Sequence, residues 1–339
     1  MATGSSPDEE DRTPRGVRLS DLLDRLDAEA RRCYEAHAKG SPLGARTGLD
    51  VLDTAIGGYL RPGIHVLQGP AGVGKSALAQ QIASTAGVPA LLVSMELSPL
   101  ELLLRHTARA TGTPLSELKG SPSPMEPGTL LELATNAANN APMLSLLDAR
   151  MAWPPISSIE QAAIAARGED PHVLVVIDSL HSWADGSPGG AGEYERLNEA
   201  LRLCLGLAAS LSAPVLVVAE LSRAATFAAD QSRTKARIGG NLSASAGTRK
   251  FEYAAETVFD LSREKRKTDS RGSLGRETQE LICTIEKNRH GVRGAALRLI
   301  WDPSLMRISM PGQSQGPAPE EAQAPVPDEA QGLVVADWH

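Results

Sequence analysis

A glycine-rich segment that ends in a lysine and a serine is the clearest chemical motif in the sequence. It runs from Gly69 to Ser76 as GPAGVGKS and fits the pattern GxxxxGK[ST]. The residues before it, 65–68, predict a strand, and residues 75–86 predict a helix. In that context the backbone N–H groups of a tight loop point at a phosphate, and the helix N-terminus adds partial positive charge. We therefore predict a phosphate-binding loop rather than a chance glycine-rich turn, with contacts from Gly69, Ala71, Gly72, Val73, Gly74, Lys75, Ser76 and Ala77.

Three side chains carry the chemistry expected at such a loop. Lys75 is placed to reach the β- and γ-phosphates of a nucleoside triphosphate, and the Ser76 hydroxyl is placed to bind Mg²⁺. Asp178 ends the apolar stretch 173–178, where an acid holds the Mg²⁺ and its water in proteins of this class. Asp is also a common helix N-cap, but beside this loop we favour the metal role. The predicted ligands are therefore ATP and Mg²⁺, with Ser76 and Asp178 on the metal and Asp178 also counted in the nucleotide site.

Glu96 is the candidate catalytic acid. It follows the predicted strand 90–94, so it is expected at the same edge of the sheet as the phosphate loop. A carboxylate there can orient or deprotonate the attacking water. It can equally cap the helix that starts near Pro99, and sequence spacing alone leaves both roles open.

The apolar stretches predict an α/β fold that brings these residues to one edge of a sheet. Near-continuous apolar runs separated by helical stretches indicate a mainly parallel central sheet flanked by helices. The predicted strands are 65–68, 90–94, 143–148, 173–178 and 214–220, and the predicted helices are 75–86, 98–111, 129–141, 156–167 and 193–211. Later strands at 258–262, 280–286 and 296–301 have no helix between them, which predicts a C-terminal antiparallel extension.

The predicted ATP-binding domain covers residues 45–310, and its flanks differ from it in composition. Residues 1–17 predict a disordered leader, and residues 18–40 an amphipathic linker helix with Ser20 as a candidate N-cap. Residues 311–339 are acidic and Pro-rich, so we expect a disordered tail that offers a protein partner a binding segment.

Composition excludes several classes of protein. No stretch of the 339 residues reaches the roughly 20 apolar positions of a membrane span, and no signal peptide is evident. Three dispersed cysteines without a CxxC pair indicate a reduced, cytoplasmic protein. The formal net charge of −7 excludes nucleic-acid binding over the whole surface but allows a local basic patch.

Several segments in order resemble one family. They are TGLDVLDTAIGGYLRPG, VSMELSPLELLLR, VLVVIDSLHSW, VVAELSRA and EKNRHGVRG. This order resembles the C-terminal ATPase domain of the replicative DnaB-type helicases, over roughly Leu19 to Ile308. KNRHG and GTRKFEYAAETV are also similar to the RadA-type recombination ATPases. The resemblance implies a RecA-like P-loop NTPase fold and a homo-oligomeric, hexameric ring with ATP bound between neighbouring subunits.

The resemblance also implies roles for single residues. It places the catalytic glutamate at Glu96 and makes Lys287 and Arg289 the cations that reach the next subunit's nucleotide. An arginine delivered in trans can be worth ~10³-fold or more in rate. Without the family, solvated charges at a strand end would be the preferred interpretation of this pair. The linker helix at 18–40 is expected to pack on the adjacent subunit.

Three departures from the family pattern qualify this expectation. The family's larger N-terminal helical domain is not found, and the acidic tail is extra. Glu220 stands where a glutamine usually senses the γ-phosphate. Because a carboxylate near a triphosphate repels it, our hypothesis is that Glu220 slows or gates hydrolysis.

A basic loop after the strand 214–220 is the candidate nucleic-acid site. It contains Arg223, Arg233, Lys235 and Arg237, with a flexible Gly-Gly pair. In RecA-like rings, loops here face the central channel, so we expect sequence-independent contact with single-stranded DNA. The alternative is a solvated loop. The acidic loop 185–195 is a weaker candidate, and the basic stretch 263–276 is predicted to be an exposed hairpin loop.

The sequence therefore predicts a ring-forming, Mg²⁺-dependent ATPase that couples hydrolysis to DNA translocation or unwinding in DNA replication. The alternative is a slow RadA- or clock-type nucleotide switch that recruits partners without unwinding. A small-molecule kinase is disfavoured because nothing in the sequence resembles an acceptor pocket.

Overall fold

A computed structural model describes residues 16–151, 153–186, 192–220, 253–263 and 278–312. The strands are β1 Gly63–Gly69, β2 Ala90–Ser94, β3 Leu144–Asp148, β4 Leu174–Asp178, β5 Pro214–Glu220, β6 Thr257–Arg263, β7 Gln279–Asn288, β8 Ala296–Asp302 and β9 Arg307–Ser309. The helices are α1 Leu23–Lys39, α2 Asp50–Ile56, α3 Lys75–Thr85, α4 Pro99–Thr111, α5 Leu115–Leu118, α6 Pro127–Asn139, α7 Ile156–Arg167, α8 Leu180–Asp185 and α9 Glu193–Leu211.

Within these ranges the strands form one sheet in the order β3-β2-β4-β5-β1-β6-β7-β8-β9. The strands from β3 to β6 in that order pair in parallel, while β7, β8 and β9 are antiparallel to their neighbours. The carboxyl ends of the parallel strands therefore share one edge, where open α/β sheets bind ligands. This confirms the predicted fold class, a mainly parallel sheet with helices and a C-terminal antiparallel extension.

The central strands β1, β2, β4 and β5 are buried on both faces, which explains their near-continuous apolar sequences. On one face α2 and α3 pack through residues such as Ile56, Leu78 and Ile82. On the other face α7, α8 and α9 pack through residues such as Ile159 and Trp183. No helix in the described ranges has the length and apolar character needed to cross a bilayer.

Several short helices and one short strand give no clear signal in the sequence. The helices α2, α5 and α8 and the strand β9 were not predicted, since each is only three to seven residues long and gives little periodic signal. The prediction that Ser20 caps the linker helix was wrong. A 3₁₀ turn at Leu19–Leu22 precedes α1, and the Ser20 hydroxyl instead donates to the neighbouring Asp21 carboxylate at 3.2 Å.

Several predicted segments lie outside the described residues. They are most of the leader (1–15), part of the acidic loop (187–191), the candidate DNA-contact loop (Arg223 to about Gly247, within the undescribed residues 221–252), the basic stretch (264–277) and the tail (313–339).

Candidate nucleotide site

A cavity of about 320 Å³ lies at the shared carboxyl edge of the parallel strands. Among the residues predicted for the site, those that line it are Gly72, Gly74, Lys75, Ser76, Ala77, Glu96, Asp178 and Glu220. Gly69, Ala71 and Val73 belong to the loop without lining the cavity, and the Val73 side chain is buried in the core. The fold thus brings together acids and a lysine that are far apart in the sequence.

The loop conformation requires glycine at two positions. A Cβ on Gly69, at φ +154°, would lie 2.3 Å from the Leu261 carbonyl oxygen, where no side chain fits. Gly74 is the N-cap of α3 at φ +106°, in the region that side-chain-bearing residues rarely adopt. α3 starts at the next residue, so its N-terminal N–H groups and partial positive charge lie at the cavity.

Lys75 is buried and folded back onto its own loop. Its Nζ donates to the carbonyl oxygens of Gly69 and Pro70, at 3.0 and 2.9 Å, and lies 4.0 Å from Glu220 Oε1. Burial lowers the pKa of Lys75, and the carboxylates of Glu220, Asp178 and Glu96 oppose that shift. The ammonium group is therefore held by acceptors that a phosphate can replace.

Ser76 and Asp178 form the pair of oxygen ligands expected for a hard cation. The Ser76 hydroxyl donates to Asp178 Oδ1 at 3.1 Å. Burial raises the pKa of Asp178 to about 6; the nearby Glu96 adds to this rise and the Ser76 hydrogen bond opposes it. Ser179, not Asp178, caps α8 by accepting from the Ser182 N–H. A carboxylate that is costly to bury and a hydroxyl beside it fit a divalent cation such as Mg²⁺.

Glu96 is held by two serines that the sequence analysis did not single out. Its Oε1 accepts from the hydroxyls of Ser182, at 2.8 Å, and Ser179, at 3.4 Å. Ser98 caps α4 by accepting from the Glu101 N–H at 3.1 Å, so Glu96 does not fill the capping role. The carboxylate is thus fixed at the cavity by the first turn of α8.

The lining includes further residues that sequence reasoning missed. Arg105 lies on α4 and lines the cavity, and its guanidinium is held by Glu101 at 2.9 Å. The Glu101–Arg105 spacing signals a pair on one helix face, but not that the face meets the nucleotide site. Trp301 and Met306 form part of the wall. A Cβ on Gly74 would lie 3.6 Å from the Trp301 ring.

Lys287 and Arg289 lie far from this cavity in the same subunit. β7 runs antiparallel to β6, and Asn288 at its end pairs with Thr257 at the beginning of β6. Both cations therefore emerge at the amino edge of the parallel sheet, opposite the phosphate loop. There the Lys287 ammonium and the Arg289 guanidinium each donate to the Tyr253 carbonyl at 3.0 Å.

The predicted DNA contacts, Arg223, Arg233, Lys235 and Arg237, lie outside the described residues. Of the sequence around them, the structure describes β5 up to Glu220 and the chain again from Tyr253.

Comparison with known proteins identifies similar chains. The family described as DnaB-like helicase C terminal domain matches residues 44–310. The replicative DNA helicase DnaB of Treponema pallidum (strain Nichols) is 24% identical over 250 residues, covering 72% of this chain and 53% of the relative. The replicative DNA helicase DnaB of Synechocystis sp. is 29% identical over 213 residues, covering 59% and 22%. The chain thus spans about half, or less, of the length of these relatives.

A solved structure has a similar fold. The ATPase domain of G40P gives a TM-score of 0.68 at 19% identity, covering 87% of this chain and 99% of that domain.

Proposed function

Because the chain belongs to the DnaB-like helicase C-terminal domain family, we propose that it is a ring-forming, Mg²⁺-dependent ATPase that couples hydrolysis to translocation on DNA or its unwinding. The observation that carries the proposal is the cavity in which Lys75, Ser76, Asp178 and Glu96 meet. These are the groups that phosphoryl transfer to water requires: a phosphate cradle, metal ligands and a carboxylate for the nucleophile.

The cradle and metal ligands bind the triphosphate. Loop N–H groups and the N–H groups at the α3 N-terminus donate to the phosphate oxygens, and Lys75 turns from the Gly69 and Pro70 carbonyls to the β- and γ-phosphates. Ser76 and Asp178 would hold Mg²⁺, which when bound neutralises charge on the phosphate oxygens. Arg105, held by Glu101, adds a positive charge to the same cavity.

Glu96 orients the attacking water. The Ser182 hydroxyl donates to Glu96 Oε1 at 2.8 Å, which restricts the rotamers of an otherwise exposed carboxylate. Such preorganisation matters because a reacting group must be within hydrogen-bond reach of the proton it takes.

Lys287 and Arg289 act on the neighbouring subunit in this proposal. They lie at the opposite edge of the sheet from Lys75, so they cannot complete the site of their own chain. A head-to-tail arrangement of subunits places one edge against the other and closes into a ring. The exposed apolar side chains of α1 are proposed to pack on the adjacent subunit and hold that ring together.

In this proposal, single-stranded DNA binds the basic residues in the segment 221–252. These residues follow β5, which ends at Glu220 on the cavity. Contact with phosphates through Arg223, Arg233, Lys235 and Arg237 predicts binding that weakens steeply as salt rises.

One observation favours a second candidate, a slow nucleotide switch that recruits protein partners through its acidic tail. Glu220 lies 4.0 Å from Lys75 and adds a negative charge where a polyanion must bind. A site of this kind turns over slowly unless the carboxylate is neutralised.

The ATPase rate with Mg²⁺, with and without single-stranded DNA, separates the two candidates, with Lys75→Ala as the blank. Stimulation by about tenfold or more would support a DNA motor, because it would show that DNA binding and hydrolysis are coupled. A slow rate that DNA does not change would support the switch.

Mixing two inactive variants tests delivery in trans. Lys75→Ala lacks the phosphate site but keeps the cations, and Arg289→Ala has the reverse defect. In an equal mixture about a quarter of the head-to-tail interfaces join an intact phosphate site to an intact arginine. Recovery of activity supports the ring, and a mixture as inactive as its components contradicts it.

A further inference from the structure

We propose that Glu256 is a positioning residue that presents Arg289, and with it Lys287, to the neighbouring subunit. This inference rests on the proposed delivery of the two cations in trans. Glu256 lies just before β6 and is not among the residues predicted for the site.

The backbone of Glu256 is fixed from both sides. Its N–H donates to the Ile64 carbonyl of β1 at 2.7 Å, and its own carbonyl accepts from the Arg289 N–H at 3.0 Å. Glu256 and Arg289 thus continue the β6–β7 pairing beyond the ends of the two strands, as directly opposed cross-strand neighbours.

Packing also fixes the side chain of Glu256. A Cβ on Gly63, at φ +134°, would lie 2.5 Å from Glu256 Cγ, so Gly63 leaves the space that this side chain occupies. Only 17% of the Glu256 side chain is exposed, against 49% for Arg289. An ordered, mostly buried carboxylate therefore holds a half-exposed guanidinium.

The Glu256 carboxylate and the Tyr253 carbonyl hold the side chains of Arg289 and Lys287 between them. Glu256 Oε1 lies 3.3 Å from Arg289 Nη1, and Oε2 lies 2.9 Å from His290 Nε2. Arg289 Nη2 and Lys287 Nζ both donate to the Tyr253 carbonyl. The segment from Tyr253 to Glu256 thus organises both side chains.

The contacts with Glu256 and Tyr253 leave Arg289 able to bind a phosphate. A guanidinium has five N–H donors, and the contacts with Glu256 and Tyr253 engage Nη1 and Nη2 once each. The remaining donors stay available to a triphosphate on the neighbouring subunit. Ordering the long side chain beforehand reduces the rotamer entropy that delivery would otherwise lose.

Glu256→Gln in the full-length chain tests the proposal, with Glu280→Gln as the matched control. Gln is close to isosteric but cannot form the ion pair, while Glu280 is exposed at the far end of β7. We expect Glu256→Gln to bind a fluorescent ATP analogue as the unaltered protein does, because its own phosphate loop is intact. Its turnover should fall about tenfold to a hundredfold, the effect of a misplaced catalytic group. Glu280→Gln should change neither.

Mixing then separates positioning from general damage. Lys75→Ala subunits should restore activity to Glu256→Gln subunits, because they present a well-held Arg289. Arg289→Ala subunits should not, because both variants lack the same half of the interface. Unchanged turnover of Glu256→Gln, or equal rescue by both partners, overturns the proposal. Weakened nucleotide binding by Glu256→Gln also overturns it, since that indicates a structural role.

The Lys75→Ala and Arg289→Ala mixture distinguishes failure of the proposed function from failure of this inference. If that mixture stays inactive, delivery in trans is wrong and Glu256 has nothing to position. If it recovers while Glu256→Gln remains fully active, only the role of Glu256 is wrong.

Discussion

At the residue scale, Glu220 is the feature that most opposes nucleotide binding. Its carboxylate lies 4.0 Å from Lys75 Nζ, and its side chain is 56% exposed. An ion pair that exposed is partly screened by water, so it holds Lys75 weakly. A triphosphate entering the cavity must nevertheless displace this interaction and tolerate the negative charge.

Glu220→Gln should therefore bind ATP more tightly, by about tenfold, because it removes a like charge from the triphosphate site. Turnover should rise as well if Glu220 gates hydrolysis. Titration with a fluorescent ATP analogue and steady-state hydrolysis measure the two effects, with the exposed Glu169→Gln as a control. If affinity and turnover both stay unchanged, the gating hypothesis is wrong.

A buried histidine makes the stability of the fold depend on pH. Nε2 of His65 bonds to the Arg61 carbonyl at 2.8 Å, and Nδ1 has no hydrogen-bond partner among the described residues. Burial lowers the pKa of His65 to about 4; the Arg61 carbonyl and Glu256 oppose the shift, and His290 adds to it. The folded state thus prefers neutral His65, whereas the unfolded chain is protonated below an ordinary pKa of 6.5.

Stability should therefore be complete above the unfolded pKa and fall as the pH drops towards 4. For His65 alone we expect a loss of about 2 kcal/mol between pH 7 and pH 5. Urea unfolding at both pH values measures it; His65→Gln should reduce the difference, and the exposed His37→Gln serves as the control variant. An identical pH dependence in His65→Gln would show that His65 is not the source.

The residues of the site were predictable where a local pattern forces their position. The loop Gly69–Ser76 and the strand ending in Asp178 carry their structural context in adjacent residues, and the cavity contains both. Ser182, Arg105 and Trp301 were not predictable in this way. They reach the cavity through the packing of α8, α4 and β8, which depends on contacts distant in sequence.

At the element scale, burial decides which elements the sequence reveals. β2, β4 and β5 are covered on both faces, so an unbroken apolar run marks each of them. Short α2 and α8 are recognisable only by their packing, for example of Leu52 and Trp183 in the core. Ser20 illustrates the limit of capping rules, because it lies inside the 3₁₀ turn Leu19–Leu22 and the N-cap position of α1 is Leu22.

The cap of α4 contributes to stability and to the site. Ser98 accepts from the Glu101 N–H, and α4 carries Arg105 to the cavity. Ser98→Ala should destabilise the fold by about 1 kcal/mol, the usual cost of losing an N-cap. Chemical denaturation measures this loss, with Ser116→Ala in α5 as the control, because Ser116 is not a helix cap. Equal stability of the two variants would mean that the Ser98 hydrogen bond contributes nothing.

At the scale of the whole molecule, α1 is a helix that contributes no residue to the hydrophobic core of its own subunit. None of its residues is buried: Leu23 and Leu26 are 62% and 65% exposed, and Leu19 in the preceding 3₁₀ turn is 85% exposed. Such an apolar stripe is costly in water unless another surface covers it. A neighbouring subunit is the proposed cover.

Replacing Leu23 and Leu26 by Ser should therefore weaken the ring and leave the thermal stability of the single subunit nearly unchanged. Light scattering coupled to gel filtration measures the mass, and the polar-face replacements Asp24→Ser and Arg31→Ser serve as the matched control. A mass equal to that of the unaltered protein would contradict a role of α1 in assembly. A large loss of subunit stability would show that α1 packs on its own core.

The covalent connection between Glu220 and Tyr253 has a consequence for allosteric coupling between the proposed nucleotide sites. Glu220 lies on the rim of the nucleotide cavity, and the Tyr253 carbonyl accepts from the two cations that are proposed to act on the neighbouring subunit. Residues 221–252 are the covalent link between these two places. If DNA binds this segment as proposed, one binding event would change the free energy of both sites, and linkage would require the reverse coupling with equal strength. In the proposed ring, ATP occupancy in one subunit would then alter the DNA affinity of its neighbours.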